Sequence, residues 1–293
     1  MIDPSRFIPK VGSSKAASLR GSGRCAENSP RLERKKDYLS RKDEDPPQKC
    51  ASLSVIFPAF NEEQNIRTLI ELARRILPDL AETWEIIIVD DGSQDATGAM
   101  CDELAAVHPQ VHTIHHSTNR GYGAALKSGI IAAKHDLIFF TDSDGQFDLK
   151  ELGQLIQWSD EYEIVAGYRK KRRDPPPRLV NALAWNVLVR IVLGVKVRDI
   201  DCAFKLFRRE VFNRVQIRSV GAMVNTEVLA QAMRLGMRIH EVEVTHFPRQ
   251  YGKPSGANVR VILKAFLELI RLGRHLRRVP QGQTGLVSTV ERL

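Results

Sequence analysis

The sequence predicts an α/β protein: a Rossmann-like, mixed but mostly parallel sheet flanked by helices, ending in an amphipathic C-terminal helix. Three observations predict it. Short β-branched and aromatic runs alternate with helical periodicity between residues 53 and 147. Two of these runs, Trp84-Glu-Ile-Ile-Ile-Val89 and Leu137-Ile-Phe-Phe140, are apolar almost throughout, as suits strands covered on both faces of a parallel sheet. Each run ends in a polar cluster, the pattern of strand-to-helix junctions linked by right-handed crossovers.

The elements follow in order. Residues 1–50 are rich in Ser, Gly, Lys, Arg and Pro; they cannot bury enough apolar surface to offset their ordering entropy and are expected to be disordered. Leu53–Phe57 reads as a strand stopped at Pro58. Asn61 is the expected N-cap of the next helix, with Gln64 completing a capping box. That helix repeats Ile66, Leu69, Ile70, Ala73 and Leu77 on one face. Trp84–Val89 is the second strand, a helix runs over 96–106, and Val111–His115 is the third strand. Asn119-Arg-Gly-Tyr-Gly123 opens a helix over 124–133, and the fourth strand is Leu137–Phe140. A helix over 149–159 and a strand over 164–168 come next. Asp174-Pro-Pro-Pro177 is expected to exclude helix and internal strand, so the following helix is drawn from Arg178 to about Val195. A strand over 199–207, a helix over 224–235 stopped by Gly236, a strand over 238–247 and a basic, partly apolar helix over 259–278 complete the domain of 51–278. Residues 279–293 are expected to be a disordered tail.

Charge sits at the ends. Residues 1–49 carry 12 Lys/Arg against 7 Asp/Glu and residues 250–293 carry 8 against 2, whereas the middle carries 24 against 26. A nucleic-acid binder would place its basic patch on the folded body, so no nucleic-acid partner is expected; basic ends suit an anionic membrane surface. The 4 cysteines show no C-x-x-C spacing, which argues against a zinc ribbon or a disulfide framework and for a reducing, cytosolic setting. No apolar run reaches the roughly 18–20 residues of a spanning helix, and no apolar signal core opens the chain. The expectation is a protein on the cytoplasmic side, peripheral to a membrane.

The chemistry gathers at strand ends, where open α/β sheets bind ligands. Asp142 and Asp144 lie one residue apart after the fourth strand, so an extended chain points both to one side. With the amide oxygen of Gln146 they suit Mg²⁺ or Mn²⁺; the competing reading is a polar turn. In Asp90-Asp91, one carboxylate can take a ribose hydroxyl or base N–H and the other can cap a helix, against the alternative that both cap. Asn119-Arg-Gly-Tyr-Gly-Ala-Ala-Leu126 lacks a third glycine and the P-loop spacing, which disfavours a dinucleotide oxidoreductase or NTPase. Arg169-Lys-Lys-Arg-Arg173 is either a solvated loop or, with Arg178, a grip on an anionic substrate. His115-His116 reads as polar surface, and His246 lies near a basic loop.

Val55-Ile-Phe-Pro-Ala-Phe-Asn-Glu62, Ile88-Val-Asp-Asp-Gly-Ser-Gln-Asp95, Asn119-Arg-Gly121 and Thr141-Asp-Ser-Asp-Gly-Gln146 together resemble family 2 glycosyltransferases of the GT-A fold. The D-x-D-x-Q form, the Arg-rich segment, Asp201-Cys-Ala-Phe-Lys-Leu-Phe-Arg208 and Arg249-Gln-Tyr-Gly-Lys-Pro-Ser255 are similar to the dolichyl/polyprenyl-phosphate mannosyltransferase branch. Phe60, where tyrosine is common, and the lack of added spanning segments depart from that pattern. The resemblance implies metal-dependent, inverting transfer of mannose or glucose from GDP-mannose or UDP-glucose to a polyprenyl phosphate. It implies Asp142, Asp144 and Gln146 as ligands of Mg²⁺ or Mn²⁺. Pro58, Phe60, Glu62, Asp90, Asp91, Asn119, Asp142 and Ser143 would bind the donor. Arg169, Arg178, Arg249, Lys253 and Ser255 would bind the acceptor, with Asp142, Asp144, Arg169 and Arg178 at the reaction centre. A phosphate acceptor needs no general base; a hydroxyl acceptor would, with Asp201 and Glu227 as candidates. A soluble or protein acceptor, an inactive sugar-nucleotide binder or adaptor, and a membrane-anchored partner subunit stay open.

Overall fold

The computed structural model describes residues 49–169, 176–249, 251 and 259–278, with side chains described except at 176–184, 259–265, 277 and 278. The expectations for 1–48 and for the tail therefore lie outside the described residues. The strands are β1 Cys50–Ala59, β2 Ala81–Asp90, β3 Val111–His115, β4 Leu137–Phe140, β5 Ile164–Arg169, β6 Lys205–Arg208 and β7 Ile239–Val244. The helices are α1 Ile66–Leu80, α2 Thr97–Val107, α3 Tyr122–Ala132, α4 Leu152–Ile156, α5 Pro176–Leu193, α6 Arg209–Arg214, α7 Val224–Arg234 and α8 Val259–Arg278.

The strands form one sheet in the order β3-β2-β1-β4-β6-β5-β7. Neighbours are parallel except at β6, which runs antiparallel to both β4 and β5. The sheet is thus mixed and mostly parallel, as expected. Alternation along the strands sorts the apolar residues to two faces. Val55, Phe57, Ile86, Ile88 and Phe139 face a core with α1, α2 and α4. Ile56, Ile87, Val89, Ile138 and Phe140 face a core with α3, α7 and α8. Burial on both sides is why these strands read as nearly unbroken apolar runs. Along α8, Leu269, Leu272 and Leu276 are buried while Phe266, Leu267 and Ile270 are exposed.

Three expectations need correction. Helix α5 begins at Pro176, inside the proline run that was expected to exclude helix; a helix's first turn has no use for those N–H groups, so proline fits there. Helix α1 begins at Ile66 with Asn65 at its N-cap and no side-chain cap bond. Asn61 instead takes a left-handed φ of 56° and accepts the Gln94 N–H across the crevice at 2.8 Å. The strand expected over 199–207 is confined to Lys205–Arg208, because residues 199–202 turn back on themselves, the Cys202 N–H meeting the Asp199 carbonyl.

Between β1 and β4 the chain switches sides of the sheet. Carboxyl ends of β1, β2, β3 and β4 open together at this switch, where a ligand crevice forms.

Candidate active site

The loop after β1 is stitched to the loop after β2. The Glu62 N–H donates to Thr97 Oγ1 at 2.8 Å and the Asn61 N–H to Ser93 Oγ at 2.9 Å. Glu62 turns its carboxylate inward and accepts from Asn65 Nδ2 at 2.7 Å. Burial, aided by the Asp144 and Asp95 charges, keeps Glu62 above the ordinary carboxyl range despite Asn65 and Arg249. Pro58 is buried and its carbonyl accepts from Ser143 Oγ at 2.8 Å, which ties β1 to the acidic turn after β4. Phe60 is 41% exposed, an aromatic face available at the crevice.

The two aspartates ending β2 do different work. Asp90 accepts from the Ser93 N–H on Oδ1 at 3.0 Å and meets His115 Nδ1 with Oδ2 at 3.0 Å. Burial opposes its charge, but Ser93 and His115 together hold its carboxyl below the ordinary range. His115 reaches Asp102 with its other nitrogen at 2.8 Å; against the effect of burial, Asp102 and Asp90 raise its basicity. Asp91 accepts from the N–H groups of Arg120 and Gly121 at 3.0 and 2.8 Å. Asp91 thus caps the entry to α3 rather than its own helix. His116 donates to Asp91 from Nδ1 at 2.6 Å and meets Ser128 with Nε2 at 2.9 Å. The expectation of a polar surface pair is therefore corrected: His116 is buried and both histidines brace the aspartates. Asn119 is exposed on the loop leading to α3.

Gly121 has a φ of 100°, and a Cβ there would lie 2.5 Å from the Val220 carbonyl oxygen. That carbonyl instead accepts from the N–H groups of Gly123 and Ala124 at the start of α3. Glu227, weighed above as a general base, is 1% exposed and accepts the Arg218 and Ser219 N–H groups at 3.0 and 2.7 Å. It secures the loop that caps α3.

Asp142 and Asp144 stand at the centre. Burial first, then the Asp144 charge, pushes the Asp142 carboxyl up to about 7, with Tyr122, Arg169 and Arg249 acting the other way. Asp144 is buried; it accepts the Gln146 N–H at 3.0 Å and an Arg249 guanidinium N–H at 2.5 Å. The same guanidinium lies 3.6 Å from Glu62. Gln146 donates from Nε2 to the Phe247 carbonyl at 2.8 Å, and the Phe247 N–H returns to the Gln146 carbonyl at 2.7 Å. The segment carrying Arg249 is thus fastened to the acidic turn. Among the described residues no group of three or more His, Cys, Asp or Glu is arranged to hold a metal. The donor set that fits a hard divalent cation is the aspartate pair with the Gln146 oxygen: burial and the Asp144 charge push the Asp142 carboxyl up to about 7, which a cation would relieve, and a guanidinium already leans on Asp144.

Arg169 pairs with Asp199 through Nε and Nη2 at 2.6 and 2.8 Å, with side chains 10% and 7% exposed. Two of its nitrogens are thus committed within the fold. The fully buried Lys205 donates to the Ile200 and Cys202 carbonyls, fixing the turn that carries Asp199. The Arg178 side chain, Lys253 and Ser255 lie outside the described residues, as do Lys170–Arg173 of the basic run. Asp199, Lys205 and His116 are site-shaping residues that sequence reasoning missed. His116 gave no local signal: the register that pairs Asp90 with His115, and so sets Asp91 beside His116, is visible only in the folded sheet.

Residues 54–216 match the profile of glycosyl transferase family 2. The polyprenol monophosphomannose synthase of Mycolicibacterium smegmatis is 31% identical over 70% of this chain and 82% of its own length. The dolichyl-phosphate beta-glucosyltransferase ALG5A of Trichomonas vaginalis is 30% identical over 75% of the chain and 72% of its own. Glycosyltransferase AglD of Haloferax volcanii is 33% identical over 67% of the chain, which spans only 33% of that relative. Among solved structures, glucosyl-3-phosphoglycerate synthase from Mycobacterium tuberculosis in complex with UDP has the same fold, with a TM-score of 0.58 at 20% identity over 76% of this chain and 80% of that one.

Proposed function

The chain belongs to glycosyl transferase family 2, and from that premise we propose that it moves a hexose from a nucleoside diphosphate sugar to a polyprenyl phosphate with inversion at the anomeric carbon. The observation that carries this reading is the under-compensated carboxylate pair Asp142/Asp144 at the carboxyl end of β4, beside a braced Asp90. Two relatives named above for transfer involving polyprenol or dolichyl phosphate support the acceptor class. Relatives carry both mannose and glucose in their names, so GDP-mannose and UDP-glucose are the donors to try.

Asp90, held by Ser93 and His115, keeps unused lone pairs for a base N–H or ribose hydroxyl. Phe60 offers a stacking face, and Asn119 and Ser143 edge the same crevice. Asp142, Asp144 and Gln146 would hold Mg²⁺ or Mn²⁺; a solved relative by fold was crystallised with Mn²⁺ and UDP-glucose. When bound, that cation supplies charge neutralisation for the departing diphosphate. An acceptor phosphate oxygen forms the new bond to the anomeric carbon as the bond to the diphosphate oxygen breaks. Because the phosphate is already ionised, no group need take its proton, which agrees with the structural employment of Glu227. Arg169, Arg178, Lys253 and Ser255 are the proposed phosphate contacts.

Among the described residues no helix is long and apolar enough to cross a membrane. Exposed Phe266, Leu267 and Ile270 on α8, with Val187 and Ile191 on α5, support peripheral seating on an anionic bilayer where the acceptor lies. The test is to incubate the protein with a short polyprenyl phosphate, Mg²⁺ or Mn²⁺, and GDP-mannose or UDP-glucose in turn. A lipid-linked hexose is the expected product; donor consumption that never yields it, with transfer to soluble phosphates instead, would overturn the acceptor assignment.

A further inference from the structure

Two buried polar atoms near the acidic turn have no hydrogen-bond partner among the described residues: the Tyr122 hydroxyl and Asn225 Oδ1. Leaving such atoms unmatched is destabilising, and each one in a folded protein calls for an explanation. The Tyr122 phenol lies close enough to the Asp142 carboxyl and the Asn225 amide to interact with both, without a well-formed hydrogen bond to either. Asn225 is 6% exposed.

The backbone that carries each side chain is fixed by its neighbours. Tyr122 opens α3 directly after Gly121, and Asn225 is the second residue of α7. The Val220 carbonyl sits on the first amides of α3, and Glu227 of α7 holds the Arg218 and Ser219 amides just before it. The two helix starts are locked to one another. A phenol keeps its proton at neutral pH, so Tyr122 has one to donate. The cluster therefore offers one donor, one amide acceptor and one carboxylate. A sugar hydroxyl both donates and accepts, so adjacent hydroxyls of a hexose complement this set.

We infer that Tyr122 and Asn225, together with Asp142, form the subsite that binds hydroxyls of the transferred hexose and selects among sugars. The inference rests on the donor reading above and names the residues that would read the sugar rather than the nucleotide. A site built to hydrogen-bond a hydroxyl discriminates strongly against its loss, because its own polar groups are then left unpaired.

The test compares Tyr122→Phe and Asn225→Ala with the unaltered protein, all with Mn²⁺, in binding GDP, UDP, GDP-mannose and UDP-glucose. Tyr122→Phe removes an unmatched hydroxyl, so its melting temperature without ligand is expected to hold or rise. Its affinity for the nucleoside diphosphate alone should stay within about twofold, while affinity for the productive sugar nucleotide falls at least tenfold. The unaltered protein should discriminate against a deoxy-hexose donor that Tyr122→Phe no longer distinguishes. If affinities for diphosphate and sugar nucleotide fall in parallel, or neither falls, the subsite is overturned while the donor reading stands. An unaltered protein that binds the diphosphates but no sugar nucleotide overturns both. Should Asn225→Ala fail to fold, Tyr122→Phe with the deoxy donor still decides.

Discussion

Cation binding at Asp142/Asp144 should depend on pH in a way that the geometry sets. Burial, then the neighbouring Asp144 charge, pushes Asp142 up to about 7. A divalent cation takes the ionised form, so binding below that pH must expel the proton. At pH 6 roughly 9% of Asp142 is ionised and at pH 8 roughly 91%, which makes apparent affinity about tenfold weaker at pH 6, or about 1.4 kcal/mol. Titration calorimetry with Mn²⁺ in buffers of different ionisation enthalpy reads the proton directly. It should show about 0.9 protons released per Mn²⁺ at pH 6 and about 0.1 at pH 8, and Asp142→Asn should release none. Equal affinity at the two pH values with no proton release would refute the reasoning. Stability without cation carries the matching sign. A raised carboxyl contributes most below its unfolded value of 3.8 and loses that contribution as pH rises through about 7. Asp90, held below its ordinary value, acts oppositely: its contribution is present at neutral pH and lost on acidification.

Asp199→Ala leaves a buried guanidinium at Arg169 and should cost about 3–5 kcal/mol, lowering the melting temperature by roughly 6–20 °C for a fold of this size; a calorimetric shift below about 2 °C would mean that the pair is dispensable. Gly123→Ala would put a Cβ 2.4 Å from the Ser219 carbonyl oxygen and 2.8 Å from that of Gly221. It should cost about 1–3 kcal/mol in urea unfolding. Phe207→Ala removes a side chain 1% exposed that stacks on Phe140 at 5.3 Å and packs against Phe212 at 5.1 Å, for an expected loss of about 3–5 kcal/mol in the same assay.

How much of this was legible depended on whether the signal was local. The β–α alternation and the helical face of α1 were readable because periodicity is a local record of which side is buried. The acids at strand ends were readable because each follows an apolar run directly. Their partners were not. His115 and His116 look like two polar residues ending a short strand; only the register of β2 on β3 makes them braces of Asp90 and Asp91. Asn61 has the composition of a helix cap, yet its side chain serves an amide 33 residues away, a tertiary competitor that no propensity records. Nothing in Lys205-Leu-Phe-Arg208 encodes its antiparallel direction, and so nothing foretold that Asp199 would claim two nitrogens of Arg169. The proline run misled because the rule against helical proline was applied where the helix had not yet begun to need its N–H groups.

The distribution of unmet requirements itself argues for where ligands bind. Several neighbouring groups are satisfied within the fold: Asp91 has three donors, Glu227 two backbone amides, and Lys205 two carbonyls, although Arg74 Nε and Asn186 Oδ1, on other helices, are also unmatched. Around Asp142 the opposite holds. Two carboxyls of the cluster are driven toward their neutral forms, a tyrosine and an asparagine bury unmatched polar atoms, and of the two arginines that act on Asp142 one is paired with Asp199 and the other is shared between Asp144 and Glu62. Folding alone would favour apolar replacements at several of these positions. Local requirements left unmet in an otherwise consistent fold mark the places where a bound partner completes them. On the function proposed above, the missing groups would be a cation for the carboxyls and hydroxyls for Tyr122 and Asn225, and a metal-bound sugar nucleotide would bring both together.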